Sequence, residues 1–83
     1  MPRVFEQLLD PKISRILKAV LATPDEIFHL SKISHVSKVP MGTSFRIVNK
    51  LVRISILESI PVGKIRIYRL AKNEYVKELQ KWL

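Results

Sequence analysis

Arg46, Asn49, Lys50 and Arg53 stand three and four residues apart. That spacing brings side chains to one side of an α-helix, because each residue turns the helix by about 100°. The arginine guanidinium is a planar fork that donates to two acceptors at once, as on the edge of a guanine or on a phosphate. Asparagine can pair with an adenine edge, and the cations neutralise phosphates. The stretch that carries them, KISHVSKVPMGTSFRIVNKLVRISIL from Lys32 to Leu57, contains no acidic residue, and from Ile27 to Leu57 every formal charge is positive. A generic solvated surface mixes the two signs, so the pattern points to a polyanion. The whole chain agrees in sign: 15 Lys+Arg against 7 Asp+Glu give a formal charge of +8, which draws polyanions in and speeds their encounter. Net charge alone fits nucleic acid, an acidic protein or an anionic membrane surface.

Other chemistries find little support. Cysteine is absent, which removes disulfides, thiolate metal sites and cysteine nucleophiles together. His29 and His35 are the two histidines, a poor metal site, and plain surface or half-buried imidazoles are the simpler reading. No strand-to-helix nucleophile turn, glycine-rich phosphate loop or paired-carboxylate motif accompanies the serines and acids, so neither an enzyme nor a cofactor is expected. No apolar run approaches the roughly 20 residues of a membrane span, and MPRVFEQLLD lacks the apolar core of a signal peptide. A cytoplasmic protein with no membrane partner, associated with a prokaryotic nucleoid, is the expectation. With 83 residues one domain over 1–83 is expected. A chain so short buries only about 60% of its unfolded surface, and a partner subunit would help.

These basic residues need elements to hold them. Val4, Phe5, Leu8 and Leu9 have helical spacing before Asp10. Asp10-Pro11 then starts a new helix, since Asp caps free N–H groups and Pro fits the first helical position. Ile13, Ile16, Leu17, Val20 and Leu21 give it an apolar stripe as far as about Ala22, and Thr23-Pro24-Asp25 stops it. Ile27-Phe28-His29 can form a minimal strand. Ser31 is the expected cap of a helix from Lys32 to Lys38 with Ile33 and Val36 inward. Pro40 and Gly42 break the helical pattern, Thr43 or Ser44 serves the donors of the next helix, and that helix runs to about Ile54. Ser55-Ile56-Leu57 leads into a strand ending near Ile60, Pro61-Val62-Gly63-Lys64 turns the chain, and Ile65 to Leu70 alternates as a strand does. Asn73 caps a last helix with Tyr75, Val76, Leu79, Trp82 and Leu83 on one side.

The order is helix, short strand, helix-turn-helix over about 31–54, β-hairpin over about 56–70, and C-terminal helix over about 73–83. This is a mostly helical α+β arrangement, the order of a winged helix-turn-helix with the hairpin as wing. The sequence resembles the ArsR-like winged-helix transcription regulators and their archaeal relatives. The resemblance is carried by Asp10-Pro11 followed by Arg15-Ile16-Leu17, by Thr43, Arg46, Val48 and Leu51, by Ile56-Leu57, and by Gly63 with Tyr68-Arg69-Leu70, in register without gaps from about Asp10 to Leu70. Three positions depart from it. Ser55 stands where the family has glycine, so a different local backbone is expected there; Pro40 replaces the usual polar turn residue; and Phe45 stands where a small polar residue is common. The cysteines of the family's metal sensors are missing.

A recognition helix entering the major groove would bring Thr43, Phe45, Arg46 and Asn49 to base edges, with Lys50, Arg53 and Ser44 on the backbone. Lys32 and Lys38 on the preceding helix are expected at phosphates where that helix crosses them. Lys64 and Arg66 would serve the wing, at the minor groove or its phosphates; an ordinary hairpin with lysine guarding its edge is an equal reading. Alternation sets Ile65 and Ile67 against Arg66, Tyr68 and Leu70, and the family register turns Tyr68 and Leu70 inward. Which face carries Arg66 stays open. Phe5, Leu8, Tyr75, Val76, Leu79, Trp82 and Leu83 read as a homodimer interface, since small winged-helix regulators pair through terminal helices. The sequence therefore favours a dimeric transcription regulator of double-stranded DNA, with no small-molecule ligand identifiable. A protein-interaction winged helix of a larger complex and a non-specific chromatin protein are the competing readings.

Overall fold

Asp10 caps the first helix as its sequence requires: its carboxylate accepts from the backbone N–H of Lys12 at 2.9 Å and of Ile13 at 3.4 Å. The computed structural model of the chain describes residues 10–82, without the side chain of Trp82. The helix expected before Asp10, with Phe5 and Leu8, lies outside the described residues, as does Leu83. The elements are α1 (Pro11–Ala22), β1 (Ile27–Phe28), α2 (Leu30–Ser37), α3 (Met41–Arg53), β2 (Leu57–Val62), β3 (Ile65–Leu70) and α4 (Glu74–Trp82). The strands form one antiparallel sheet in the order β1-β3-β2, with Phe28 opposite Tyr68 and Leu57 opposite Leu70. This is a winged helix-turn-helix.

One core joins all of it. Ile16, Leu17 and Val20 of α1 meet Ile33 of α2, Val48 and Leu51 of α3, Phe28, Leu57 and Tyr68 of the sheet, and Leu79 of α4. Val76 and Leu79 are thus interior, at 3% and 0% exposure. This corrects the expectation that they form a dimer surface: a domain with so little interior uses the apolar side of its last helix to complete its own core. Tyr75 is half-buried against the same core, and this burial raises its phenol pKa above the ordinary value.

Helix α2 begins earlier than its serine suggested. Because Phe28 is fixed in the sheet, the chain turns into helix at once: Leu30 is the first helical residue, His29 the cap position, and no side chain caps the end. Ser31 therefore sits inside the helix. The buried line of α2 runs through Ile33 and Ser37, four residues apart, which leaves Val36 outside at 46% exposure.

The turn that follows places Lys38 in the left-handed region, φ 56° and ψ 41°, where a glycine is the usual occupant. The N–H of Lys38 reaches the carbonyl of His35, and that of Val39 the carbonyl of Ser34. Helix α3 then starts at Met41 with Pro40 at its cap position, so neither Thr43 nor Ser44 acts as cap. The Ser44 hydroxyl instead donates back to the Val39 carbonyl at 3.1 Å, beside the Ser34 hydroxyl at 2.6 Å. Two hydroxyls on one carbonyl fasten the turn to both helices.

At its far end α3 closes through Ser55, at φ 67°. The N–H of Ser55 bonds to the carbonyl of Val52 and that of Ile56 to the carbonyl of Leu51, the pattern of a Schellman stop. A glycine-type backbone is therefore kept although the glycine is not. The Asn73 side chain donates to the Ser55 carbonyl at 2.9 Å and accepts from the Val76 N–H at 2.8 Å, tying the helix stop to the cap of α4. In the wing, strand β2 continues through Pro61 and Val62, and the turn shrinks to Gly63-Lys64, with Gly63 at φ 61°. Proline is tolerated because β2 is the sheet's edge.

Candidate nucleic-acid interface

At about 100° per residue, the buried side of α3 is set by Ser44, Val48 and Leu51. The opposite side then holds Gly42, Arg46, Asn49 and Arg53. Met41, Phe45 and Val52 fall on one flank, Thr43 and Lys50 on the other. Arg46 and Arg53 are exposed, while Asn49, Lys50 and Thr43 are half-buried. Arg46, Asn49 and Arg53 therefore share the outward face, with Lys50 at its border.

Ser44 does not belong to it. Its side chain is wholly buried and its hydroxyl is used by Val39, which removes it as a backbone contact. Lys32 is also engaged: its ammonium lies 2.9 Å from the Glu26 carboxylate and 5.3 Å from the centre of the Phe28 ring. Glu26 comes from just before β1, and its acid reaches into the segment that is free of acids in sequence. The remaining ion pairs join Arg69 to Glu58, Lys77 to Glu74 and Lys81 to Glu78. Among the described residues, no ion pair involves Lys38, Arg46, Lys50, Arg53 or Lys64. The cations of α3 are thus not held in ion pairs among the described residues.

Two basic residues on α1 join the face that sequence spacing did not assign to it. Lys12 shares a shallow groove of about 300 Å³ with Asp10, Ile13, Thr43, Arg46, Ile47 and Lys50. Arg15 donates to the carbonyl of Lys38 at 3.4 Å, which sets its guanidinium beside the helix-turn-helix turn. Only tertiary packing places α1 alongside α3, so no local signal could have marked them.

In the wing, Tyr68 and Leu70 face the core at 3% and 4% exposure. Arg66 has the same parity and so shares their side of the sheet, beyond the end of the core, where it donates to the Ser59 hydroxyl at 3.0 Å. Lys64 stands at the turn, and Val62 and Ile65 flank it on the outer side, opposite each other in the ladder and each about half exposed. Among the described residues no group of three or more His, Asp or Glu side chains could hold a metal ion, and no helix is long and apolar enough to cross a membrane.

No family model and no curated protein sequence matches the chain. Solved structures do. A predicted DNA-binding transcriptional regulator from E. coli superposes with a TM-score of 0.76 over 96% of this chain and 81% of its own, at 14% identity. HlyU from Vibrio cholerae N16961 gives 0.74 over 95% and 82%, also at 14% identity. The type III plasmid segregation protein TubR, in a mutant form, gives 0.75 over 96% and 88% at 19% identity. At such identities the likeness is one of fold, and the fold it establishes for this chain is the winged helix-turn-helix.

Proposed function

We propose that the chain is a small transcription regulator of the ArsR-like, archaeal kind that binds double-stranded DNA as a homodimer. In this reading α3 enters the major groove and the β2–β3 wing lies on the adjacent backbone or minor groove. The observation that carries it is the outward side of α3, where Arg46, Asn49 and Arg53 stand without an acidic partner among the described residues. Arg46 is the candidate for a guanine edge, with Thr43, Phe45 and Asn49 beside it on the bases. Lys50, Arg53, Lys38, Lys12 and Arg15 serve phosphates, and Lys64 and Arg66 serve the wing. The non-enzymatic reading agrees with neighbours named as transcriptional regulators.

Dimerisation is proposed through Tyr75 and through the chain ends, Phe5, Leu8, Trp82 and Leu83, whose apolar types suit an interface. Two-fold pairing would set the recognition helices about 34 Å apart on successive major grooves, so the preferred site is an inverted repeat. A protein-interaction role requires an apolar working face, whereas the outward centre of α3 is basic and Phe45 lies on its flank.

An anisotropy titration against labelled duplex at several salt concentrations tests the assignment. Lys50→Ala and Arg53→Ala should each lower the slope of log affinity against log salt by about 0.9, and Arg46→Ala with Lys50→Ala should abolish binding. An unchanged slope and affinity in these variants would sink the proposed face.

A further inference from the structure

Phe45 and Met41 lie four residues apart on one flank of α3, with 50% and 48% of their surface open to solvent. Neither belongs to the core. At about 100° per residue Phe45 lies next to Asn49 at the edge of the outward side, and Met41 lies one turn before it on the same flank. Large apolar side chains left open beside unpaired cations call for a partner that is anionic over most of its surface and apolar at a few points. The major groove of DNA has that composition. Phosphates flank it, and among the groups on its base edges the C5 methyl of thymine is the apolar one.

Gly42 points to a close-fitting partner on the same turn of helix. Its φ is not positive, and a Cβ added there would meet nothing within 4 Å. Nothing within the described domain accounts for glycine at a helical position where alanine is favoured. A surface lying close over the first turn of α3 does.

We infer that Phe45, seconded by Met41, determines base preference by packing on thymine methyl groups, with Gly42 giving the clearance that lets the first turn of α3 sit against the bases. The inference rests on the DNA-binding reading and adds to it a chemical class of target: sites with thymine beside the guanine read by Arg46. The apolar flank is then a reader of methyl groups, and the basic centre a reader of phosphates and of guanine.

The test separates the two claims. The preferred duplex is selected from random DNA, and its thymines are then replaced one at a time by deoxyuridine, which removes the methyl and keeps every hydrogen-bonding group. At one or two adjacent thymines the affinity should fall about four-fold for each methyl buried, with the salt slope unchanged. Phe45→Ala should bring the thymine-to-uracil ratio at those positions close to one, again without altering the slope, and Phe45→Leu should retain part of it. Because Phe45 is half exposed, both variants should melt like the parent by circular dichroism. Failure to bind any duplex overturns the inference and the DNA reading together. Equal affinity for the thymine and uracil duplexes, or selected sites without thymine, overturns the inference alone. A ratio that survives both Phe45→Ala and Met41→Ala assigns the methyl contact to other residues and overturns it as well.

Discussion

Gly42→Ala should make this protein more stable and a weaker DNA binder at once. The stability half follows from the helix alone. Gly42 occupies the second position of α3, its backbone needs no positive φ, and the added Cβ would meet open space. Alanine is favoured over glycine in a helix interior by about 0.5–1 kcal/mol, since glycine gives up more backbone freedom on folding. The first turn takes the lower end of that range, about 0.5 kcal/mol. For a domain of this size this shifts Tm upward by about 2–4 °C.

The binding half follows from where the methyl points. It falls on the line of Arg46, Asn49 and Arg53, at the centre of the side turned from the core. If the first turn of α3 is seated against base edges, a methyl there overpacks the contact by about 1–3 kcal/mol, or about five- to 150-fold in Kd. Differential scanning fluorimetry and anisotropy on one preparation read both quantities. A Tm that fails to rise would refute the unstrained helical setting of Gly42. A raised Tm with unchanged affinity would refute the close approach of this turn to DNA.

Other substitutions probe the frame. Ser55→Gly relieves a side chain held at φ 67° and should add about 1 kcal/mol of stability, seen as a higher midpoint in thermal or urea melts. A lower midpoint would contradict the left-handed stop of α3. Leu79→Ala removes a side chain of zero exposure and should cost about 2–5 kcal/mol, a large part of a small domain's stability. Because Leu79 packs within its own subunit, that loss should not depend on protein concentration. A loss that grows on dilution would return Leu79 to the dimer interface.

What could be read from the sequence is what short-range chemistry decides. Asp10 and Asn73 cap the helices that follow them because an Asx side chain reaches N–H groups two or three residues on, a relation visible in four letters. The stripe Ile16, Leu17 and Val20 was equally plain. The misassigned residues are those whose role is set across the fold. Ser31 looked like a cap, but pairing of Phe28 with Tyr68 starts the helix one residue before it. Ser44 fits a cap or a phosphate contact, yet its hydroxyl is buried and donates a hydrogen bond to the Val39 carbonyl. Val36 fits a helical stripe as well as Ser37 does, and only the packing of α2 beside α3 chose the serine. Val76 and Leu79 read from sequence as a dimer interface, and the limited interior takes them into the core. Lys12 and Arg15 could not be placed beside α3 by any local pattern. Ser55 is a different case: its left-handed conformation comes from the helix stop and from Asn73, which hold a glycine-type backbone without a glycine.

The way the helices end connects the scaffold to the site. The scaffold helices α1 and α4 carry side-chain caps, from Asp10 and Asn73. The two helices of the helix-turn-helix carry none: His29 and Pro40 make no side-chain cap bond, and neither first turn contains an acid. A capping Asp contributes about 1 kcal/mol, and an acid in the first turn a further 0.3–1 kcal/mol or so against the helix dipole. Both are forgone in the stretch proposed to approach phosphates, where a carboxylate would repel the partner. The stability of α2 and α3 comes instead from the turn between them, where the Ser34 and Ser44 hydroxyls donate to the Val39 carbonyl, and from the burial of Ile33, Val48 and Leu51 in the core. The absence of acid that makes Lys32–Leu57 basic therefore also makes its helices depend on the core behind them, so that loosening the core would blur the face that α3 presents.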